Sequence, residues 1–431
     1  MRTSNVMKAV GLSCVLVLAG ASAGSAQSVA GFYKGKTITF YIGYPSGGGY
    51  DAFSRTVARH MGNHIPGNPR FTPKNRPGAG TIKLANEVFN TLAQDGTVLA
   101  MVDRGIPMEA LFGSKQVRFE PTKFNWIGSV NNEVSTCVTW HTLGVKTLKQ
   151  FMTRKLVMGG TGPGTGPDMM VKVLNNVFGA NLNLITGYPG GNNINLAIER
   201  GEVDGRCGWS WSSIASTRPA WLKDGKIDIL IQMSTSKHPE LTKRGVPWIM
   251  DLGKTKRQRQ ILTLLFAREA MGRPIIAGPK VPNVRVKALR TAFLATTKDA
   301  KFLAALKKQR LESAPLTGEE VQNLVAKIMD TKPDVVEASR EATQKTGQMY
   351  IKKVKVKMVK HTGPVTKIKR GGRRVWIKYQ GKEVKTAISG SKTKVTINGK
   401  KTKRKNIKVG MTCTFTYPGP GSRSKNVDCK S

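Results

Sequence analysis

Two hydrophobic patterns divide the chain. Between residues 36 and 344, short apolar runs alternate with stretches in which apolar residues recur every three or four positions. The short runs predict buried strands, and the longer stretches predict amphipathic helices. Their alternation predicts α/β layers with largely parallel sheets. The predicted strands cover residues 37–42, 97–102, 155–158, 183–186, 202–206 and 227–232.

After residue 350 the apolar residues follow a period of two. Val375, Ile377 and Tyr379 alternate with polar residues, and the neighbouring segments do the same. Asn398-Gly399 is a dipeptide typical of two-residue β-hairpin turns. The pattern predicts a small all-β module over residues 350–431. We expect about five strands in an OB-like or small-barrel arrangement.

Charge supports a boundary near residue 347. The formal net charge is +44, and from Gly347 onward 24 Lys and Arg face only Glu383 and Asp428. The last fifth of the chain therefore carries half of the net charge, and such asymmetry indicates a separate domain. Basic runs interleaved with aromatic residues such as Trp376 and Tyr379 would favour single-stranded nucleic acid in a cytosolic protein.

The N-terminus instead indicates export. Residues 1–26 combine Arg2 and Lys8 with an apolar stretch and then small residues, which is typical of a secretory signal peptide. The apolar stretch is too short to span a bilayer. We therefore expect a soluble periplasmic protein with no nucleic-acid partner. For the basic module, the alternatives are binding to an anionic envelope surface and a solvated, charged appendage, which we favour.

Export also bears on the cysteines, because it permits disulfides. Four cysteines follow the predicted signal peptide, and none of them forms a C-x-x-C motif that would favour a metal or redox role. Cys413 and Cys429 flank one short loop. We predict that they pair and that the bond contributes about 3 kcal/mol in the loop-entropy description.

The candidate chemistry lies in two glycine-rich turns, at residues 43–51 and 159–168. Each turn follows a predicted strand and precedes a predicted helix. Such turns bring backbone N–H groups and the positive end of a helix dipole to one point, which favours a carboxylate or phosphate. Two turns of this kind predict a cleft that binds a small anion from both sides.

Several separated motifs resemble a known family. They lie at residues 43–59, 75–80, 95–97, 162–166, 188–191 and 201–204. In this order they resemble the substrate-binding receptors of tripartite tricarboxylate transporters, the Bug receptors. Asp51 and Arg55 stand where that family begins a helix after its first turn. The sequence Asn-Arg-Pro-Gly-Ala-Gly at residues 75–80 matches the family's next turn at all six residues.

The resemblance implies a fold, a function and partners. The fold would be a two-lobed α/β periplasmic binding protein of a type II-like kind, with crossover hinge segments. Lobe one would comprise residues 34–136 and 274–344, and lobe two residues 137–273, with the basic module appended. By this resemblance the protein would be a monomer that captures a small carboxylate between its lobes and passes it to the membrane permease subunits of a tripartite tricarboxylate-type transporter.

The candidate ligand-binding residues come from the two turns and from polar residues near predicted strand ends. They are Tyr44, Ser46, Gly47, Gly48, Gly49, Asp51, Asp103, Arg104, Thr161, Gly162, Gly164, Thr165, Asp168, Tyr188, Asp204 and Arg206. Arg206 is the sharpest candidate, because a guanidinium fork suits a carboxylate.

Several of these residues also have a structural alternative. Asp51 can cap its helix or pair with Arg55 four positions later. Thr165 suits a helix N-cap, and Asp168 suits the first turn of the helix that follows. Arg206 can pair internally with Asp204 or Glu202. Trp209 and Trp211 line the cleft or, as aromatic residues more often do, belong to the core of the lobe.

No catalytic constellation emerges from the sequence. The five histidines are scattered without H-E-x-x-H spacing, and no G-x-S-x-G motif is present. We therefore expect no enzyme activity, no metal and no cofactor. The alternative function is that of an exported protein that binds polyanions or an envelope surface through its basic module.

Overall fold

A computed structural model describes residues 28–347, 349–354, 358–390, 393–417 and 424–431. The predicted signal peptide lies outside these residues. The described residues up to Ile351 belong to one compact unit, and those from Lys352 to Ser431 form a second. No described helix has both the length and the apolar character needed to cross a membrane.

The helices are α1 Val29–Tyr33, α2 Gly49–His60, α3 Ile82–Asn90, α4 Ile106–Leu111, α5 Leu148–Thr153, α6 Gly166–Phe178, α7 Gly191–Glu199, α8 Trp211–Thr217, α9 Pro219–Lys223, α10 Pro239–Lys243, α11 Lys256–Ala267, α12 Asn283–Lys298, α13 Ala300–Lys308, α14 Gly318–Met329 and α15 Pro333–Gln344. All of them precede the basic module.

The strands are β1 Thr37–Ile42, β2 Arg70–Asn75, β3 Val98–Met101, β4 Asn125–Ser129, β5 Ser135–Trp140, β6 Leu156–Gly159, β7 Leu182–Thr186, β8 Gly205–Ser210, β9 Ile227–Met233, β10 Pro274–Ala277, β11 Leu316–Thr317, β12 Ile351–Lys353, β13 Val359–Lys369, β14 Arg374–Tyr379, β15 Lys382–Ala387, β16 Lys394–Ile397, β17 Lys400–Lys401, β18 Thr412–Tyr417 and β19 Asn426–Lys430.

The first sheet has the strand order β11-β4-β10-β3-β1-β2. Strand β1 runs parallel to β2 and β3, whereas β10 is antiparallel to both β3 and β4. Helices cover both faces, and successive residues of β3 therefore enter opposite cores. Leu99 and Met101 pack with Phe53 and Phe293, whereas Ala100 packs with Trp126. We call this sheet and its helices lobe one.

Five strands of the second sheet have the order β7-β6-β8-β5-β9. Strand β6 is parallel to β7 and β8, and β5 is antiparallel to β8 and β9. Both sheets are thus mixed, whereas the sequence pattern predicted largely parallel sheets. The antiparallel strands lie where the chain crosses between the sheets, which the pattern of single elements does not reveal. We call this sheet and its helices lobe two.

Two details of lobe two depart from the sequence analysis. The strand predicted at residues 202–206 is shifted, because β8 begins at Gly205 and continues through Trp209 and Ser210. A disulfide that the sequence analysis did not assign joins Cys137 on β5 to Cys207 on β8. Since β5 and β8 are adjacent, this bond fixes the strand that carries Arg206.

The basic module is a seven-stranded all-β sheet with the order β15-β14-β13-β18-β19-β16-β17. The prediction of about five strands was too low, partly because β17 contains only two residues. Asn398 and Gly399 have φ angles of 48° and 77° between the paired residues Ile397 and Lys400, which confirms the hairpin turn. Cys413 and Cys429 lie opposite each other on β18 and β19 and form a disulfide.

Candidate functional site

A cavity of about 90 Å³ lies between lobe one and lobe two. Its walls come from segments that follow β1 and β3 in lobe one and β6, β7 and β8 in lobe two. In α/β sheets, ligands bind at the carboxyl ends of strands. The cavity therefore occupies the position that the topology favours for a ligand.

Four helices begin at the cavity wall: α2, α6, α7 and α8. Their N-cap residues are Gly48, Thr165, Gly190 and Ser210, and none of these four helices has a side-chain cap hydrogen bond. The first N–H groups of a helix lack partners within the helix, and the helix dipole places partial positive charge there. The four ends together make the cavity favourable for an anion.

The first glycine-rich turn lines the cavity from Tyr44 to Gly49. Asp51 lies behind this wall, where it accepts a hydrogen bond from the Gly47 N–H at 3.1 Å. It also accepts hydrogen bonds from Arg55 Nε at 2.9 Å and Asn75 Nδ2 at 2.7 Å. Asp51 therefore shapes the turn and pairs with Arg55. This pairing is the alternative to ligand contact that the sequence offered.

Hydrogen bonds hold the second glycine-rich turn together. Asp168 accepts hydrogen bonds from the Gly162 N–H at 2.9 Å and from the Thr186 hydroxyl. The Thr165 hydroxyl donates to the Gly162 carbonyl at 2.7 Å, so it does not cap α6. Burial raises the pKa of Asp168, because the carboxylate has lost its hydration. This turn contributes Thr161 to the cavity, and Gly166 and Pro167 follow from α6.

Arg206 reaches the cavity from β8 and is 4% exposed. Its Nη1 donates to the Gly191 carbonyl at 2.9 Å and to Asn195 Oδ1 at 3.1 Å. The guanidinium carbon lies 4.9 Å from the centre of the Trp209 ring, and Nε has no hydrogen-bond partner. Burial, with a smaller contribution from Arg218, lowers the pKa of Arg206 to about 9.

The internal ion pair considered for Arg206 does not form. Asp204 accepts a hydrogen bond from the Val157 N–H at 2.7 Å, and Glu202 pairs with Arg200 at 2.7 Å. Among the described residues, no carboxylate lies within 4 Å of the Arg206 guanidinium. A buried cation without a counter-ion is costly. An anion in the cavity would lower that cost.

The other three arginines at the cavity each have a carboxylate partner. Their pairs, with the nitrogen–oxygen distances, are Arg104–Glu269 at 2.9 Å, Arg268–Asp103 at 2.5 Å and Arg273–Glu133 at 3.3 Å. The four arginines therefore exceed these three carboxylates by one positive charge, and that excess resides on Arg206. Additional hydrogen bonds hold the paired arginines, for example from Arg104 Nη2 to the Ser135 hydroxyl at 2.8 Å.

Two tyrosines hold Asp103 at the lobe-one wall. The Tyr44 hydroxyl donates to Asp103 Oδ2 at 2.8 Å, and the Tyr50 hydroxyl lies 3.4 Å from the same oxygen. Burial and the nearby Asp103 carboxylate raise the pKa of both tyrosines. Both hydroxyls therefore stay protonated, and both tyrosines line the cavity as part of the first turn.

The structure brings nine of the sixteen candidate residues to the cavity wall. They are Tyr44, Ser46, Gly47, Gly48, Gly49, Asp103, Arg104, Thr161 and Arg206. The other seven do not line the cavity: Asp51, Gly162, Gly164, Thr165, Asp168, Tyr188 and Asp204. Several of these hold neighbouring groups in place, as when the Gly164 carbonyl accepts a hydrogen bond from Arg268 Nη1 at 3.0 Å.

Other wall residues were not predicted from the sequence. They include Pro45, Tyr50, Gly190, Gly191, Asn192, Asn193, Asn195, Ser210, Ser213, Thr217, Arg268 and Arg273. Residues 190–193 follow β7 and open α7, so the strand-end rule that selected the two turns also applies to them. Trp209 lines the cavity and is also a core residue, whereas Trp211 belongs to the core alone. Among the described residues, no cluster of His, Cys, Asp and Glu could hold a metal ion.

Comparisons with known proteins identify chains that share this fold. No family model matches the chain. A UPF0065 protein of Cupriavidus necator is 25% identical over 263 residues, which cover 59% of this chain and 75% of that protein. The solved periplasmic binding protein BugD superposes with a TM-score of 0.59 at 19% identity, covering 72% of this chain and 98% of BugD.

Two further similar structures were solved with ligands. MatC from Rhodopseudomonas palustris, solved with bound malate, has a TM-score of 0.55 at 18% identity and covers 70% of this chain and 99% of MatC. An R. palustris protein solved with adipate has a TM-score of 0.57 at 17% identity and covers 71% of this chain and 97% of that protein. These neighbours confirm the resemblance found in the sequence: the chain has the two-lobed fold of the Bug and TctC-type periplasmic binding proteins.

Proposed function

We propose that this protein is a periplasmic solute-binding receptor that captures a small carboxylate between its two lobes. The observation that carries the proposal is Arg206, a buried cation that faces a small cavity and pairs with no carboxylate in the described part of the chain. A carboxylate of the ligand would supply the missing negative charge. The planar guanidinium suits such an anion, because it can donate two parallel hydrogen bonds.

The distribution of positive potential favours a ligand with two carboxylates. Arg206 lies in lobe two, whereas the N-terminus of α2, at Gly48 and Gly49, faces the cavity from lobe one. A dicarboxylate can place one end at each of these positions. The structural neighbours solved with malate and adipate hold dicarboxylates, which supports this class as the first to test.

Capture would depend on the close approach of the lobes. A Cβ placed on Gly49 would lie 2.0 Å from the Ser213 hydroxyl, and one on Gly190 would lie 3.0 Å from Pro45. These contacts between lobe one and lobe two leave little room for bulk water around a bound anion. Excluding water strengthens the electrostatic interactions of the site.

Capture of this kind needs no chemical step. We propose that the protein acts as a monomer without enzyme activity and delivers its ligand to the permease of a tripartite tricarboxylate-type transporter. The structural neighbours described as periplasmic binding proteins support this assignment.

Thermal unfolding with a panel of carboxylates tests the proposal. The protein is first stripped of bound ligand by unfolding and refolding, then heated with millimolar di-, tri-, amino and aromatic carboxylates. A ligand present at 100 times its Kd should add about 2.7 kcal/mol to the unfolding free energy. We expect the largest stabilisation from a dicarboxylate. A refolded protein that no carboxylate stabilises would contradict the proposal.

A further inference from the structure

The basic module presents an exposed cationic face on three adjacent strands. Five cations lie on it: Lys367 and Lys369 on β13, Arg374 and Lys378 on β14, and Lys385 on β15. All five are exposed, and Trp376 lies half-buried among them. We call these six residues the basic face.

Strand register places these side chains on the same side of the sheet. Lys367 lies directly opposite Trp376, which in turn lies opposite Lys385. Lys369 lies opposite Arg374 in the next row. Residues directly opposite each other on neighbouring strands share a face, and alternate residues along one strand do the same. The alternate residues of β14, Val375 and Ile377, enter the core of the module.

The positive charge of the basic face is not neutralised locally. Among the described residues, none of its five cations has a carboxylate oxygen within 4 Å, although Glu383 lies opposite Lys378. The Glu383 carboxylate accepts a hydrogen bond from the Thr366 hydroxyl at 2.7 Å. Like charges on neighbouring strands repel one another. A partner with regularly spaced negative charges would relieve this repulsion.

We propose that the basic face binds a linear anionic polysaccharide. Rows of cations separated by about 4.8 Å between strands and by about 7 Å along a strand can follow the acid groups of an extended polymer. Such binding would draw on the positive potential of the patch. The apolar ring of Trp376, flanked by Lys367 and Lys385, offers a surface for a sugar ring. This proposal does not depend on the ligand of the inter-lobe cavity.

The face fits other anionic partners less well. Single-stranded nucleic acids are held by several aromatic side chains that stack on successive bases, whereas the basic face has only Trp376, and that ring is half-buried. Surface binding to a membrane relies on apolar side chains that enter the lipid boundary. The described side chains of the basic face include no exposed aliphatic group for that purpose.

A charge-reversal pair tests the proposal in the full chain. Heparin is the probe, and its affinity is measured by titration calorimetry at 50 and 200 mM salt. The test variant is Lys367→Glu with Lys385→Glu, on either side of Trp376. The control is Lys400→Glu with Lys401→Glu, which changes the net charge equally but lies on β17, the strand at the opposite end of the sheet order.

We expect the wild-type protein to bind heparin more weakly at 200 mM salt, the test variant to lose at least tenfold in affinity, and the control to lose less than threefold. Unchanged thermal unfolding of both variants would show that they fold. Equal losses in the two variants would overturn the proposal, because binding would then follow net charge alone. Tighter binding to single-stranded DNA or to vesicles with anionic lipid than to heparin would also overturn it.

Discussion

The two glycine-rich turns share a pattern but use their hydrogen-bonding groups differently. In both, the third residue of the following helix is an aspartate that accepts a hydrogen bond from a glycine N–H of the turn: Asp51 from Gly47, and Asp168 from Gly162. In lobe one the aspartate lies behind a turn whose residues 44–49 all line the cavity. In lobe two the turn at residues 159–168 supplies Thr161, Gly166 and Pro167 to the wall, and the residues between Thr161 and Gly166 do not line it.

The hydrogen-bond partners of the two aspartates also differ in whether they can accept as well as donate. Asp51 is surrounded by donors that cannot accept, namely a backbone N–H, an arginine and an amide nitrogen. Asp168 instead accepts from backbone N–H groups of its turn and contacts the hydroxyl of Thr186, which can either donate or accept. We infer that position 51 needs the two acceptor oxygens of an aspartate to hold its turn, whereas position 168 does not.

Within the comparison of the two turns, the largest expected effect is on the stability of the protein when each aspartate is replaced by asparagine. Asp51→Asn places an amide NH₂ against at least one donor and removes the charge that pairs with Arg55, so we expect a loss of about 2 kcal/mol in unfolding free energy. Asp168→Asn can keep both hydrogen bonds if the Thr186 hydroxyl rotates, and should change the stability by less than about 0.5 kcal/mol. Urea unfolding at pH 7 measures both, and equal losses would contradict the comparison.

A second pair of variants compares the first helical residue after each turn. A Cβ on Gly49 would lie 2.0 Å from Ser213 Oγ and 3.1 Å from Arg273 Nη2, so Gly49→Ala obstructs the approach of the lobes. We expect it to weaken binding of the stabilising carboxylate by about tenfold, or about 1.4 kcal/mol. A Cβ on Gly166 meets its nearest neighbour, Gly208, at an ordinary 3.6 Å.

Gly166→Ala is therefore the matched control, and it should bind as the wild type does. Calorimetric titration of both variants gives the two affinities. If Gly166→Ala lost as much affinity as Gly49→Ala, the obstruction of lobe approach would not be the cause.

The smallest expected effect is in the pH dependence of stability. Burial raises the pKa of Asp168 in the folded protein above its unfolded value of 3.8. The folded state therefore binds the proton more tightly, and this residue's contribution to stability falls as the pH rises from about 4 through the folded pKa. Asp168→Asn removes that contribution.

The stability of Asp168→Asn relative to wild type should therefore increase with pH over that window and then level off. Urea unfolding of the two proteins between pH 4 and pH 7 gives the difference directly. A difference that stays constant, or that decreases with rising pH, would show that burial does not dominate at Asp168.

The wall from Tyr44 to Gly49 was predictable because its glycine-rich turn follows a buried strand. In α/β sheets, ligands bind at the carboxyl ends of strands. Arg206 was selected as a cation at the end of a predicted strand, but it is the second residue of β8 in the structure. The strand itself was misplaced, since its true span runs from Gly205 to Ser210. The strand-end rule therefore located the first turn, whereas Arg206 was found because a guanidinium suits a carboxylate.

Arg268 and Arg273 could not be found in the same way. They lie where the chain returns from lobe two to lobe one, and their carboxylate partners, Asp103 and Glu133, are more than 130 positions away in the sequence. Local pattern carries no information about such pairs.

The central claim is that the Arg206 guanidinium binds a carboxylate group of the ligand. The variant Arg206→Met tests it most directly. Removing one partner of a buried charge pair costs about 2–5 kcal/mol, so the stabilising carboxylate should bind at least about 30-fold more weakly. Arg200→Met, at an arginine whose side chain is 57% exposed, is the control and should bind normally. Since the substitution also removes an uncompensated buried charge, the ligand-free variant should unfold at or above the wild-type temperature. Wild-type affinity in Arg206→Met would contradict the account.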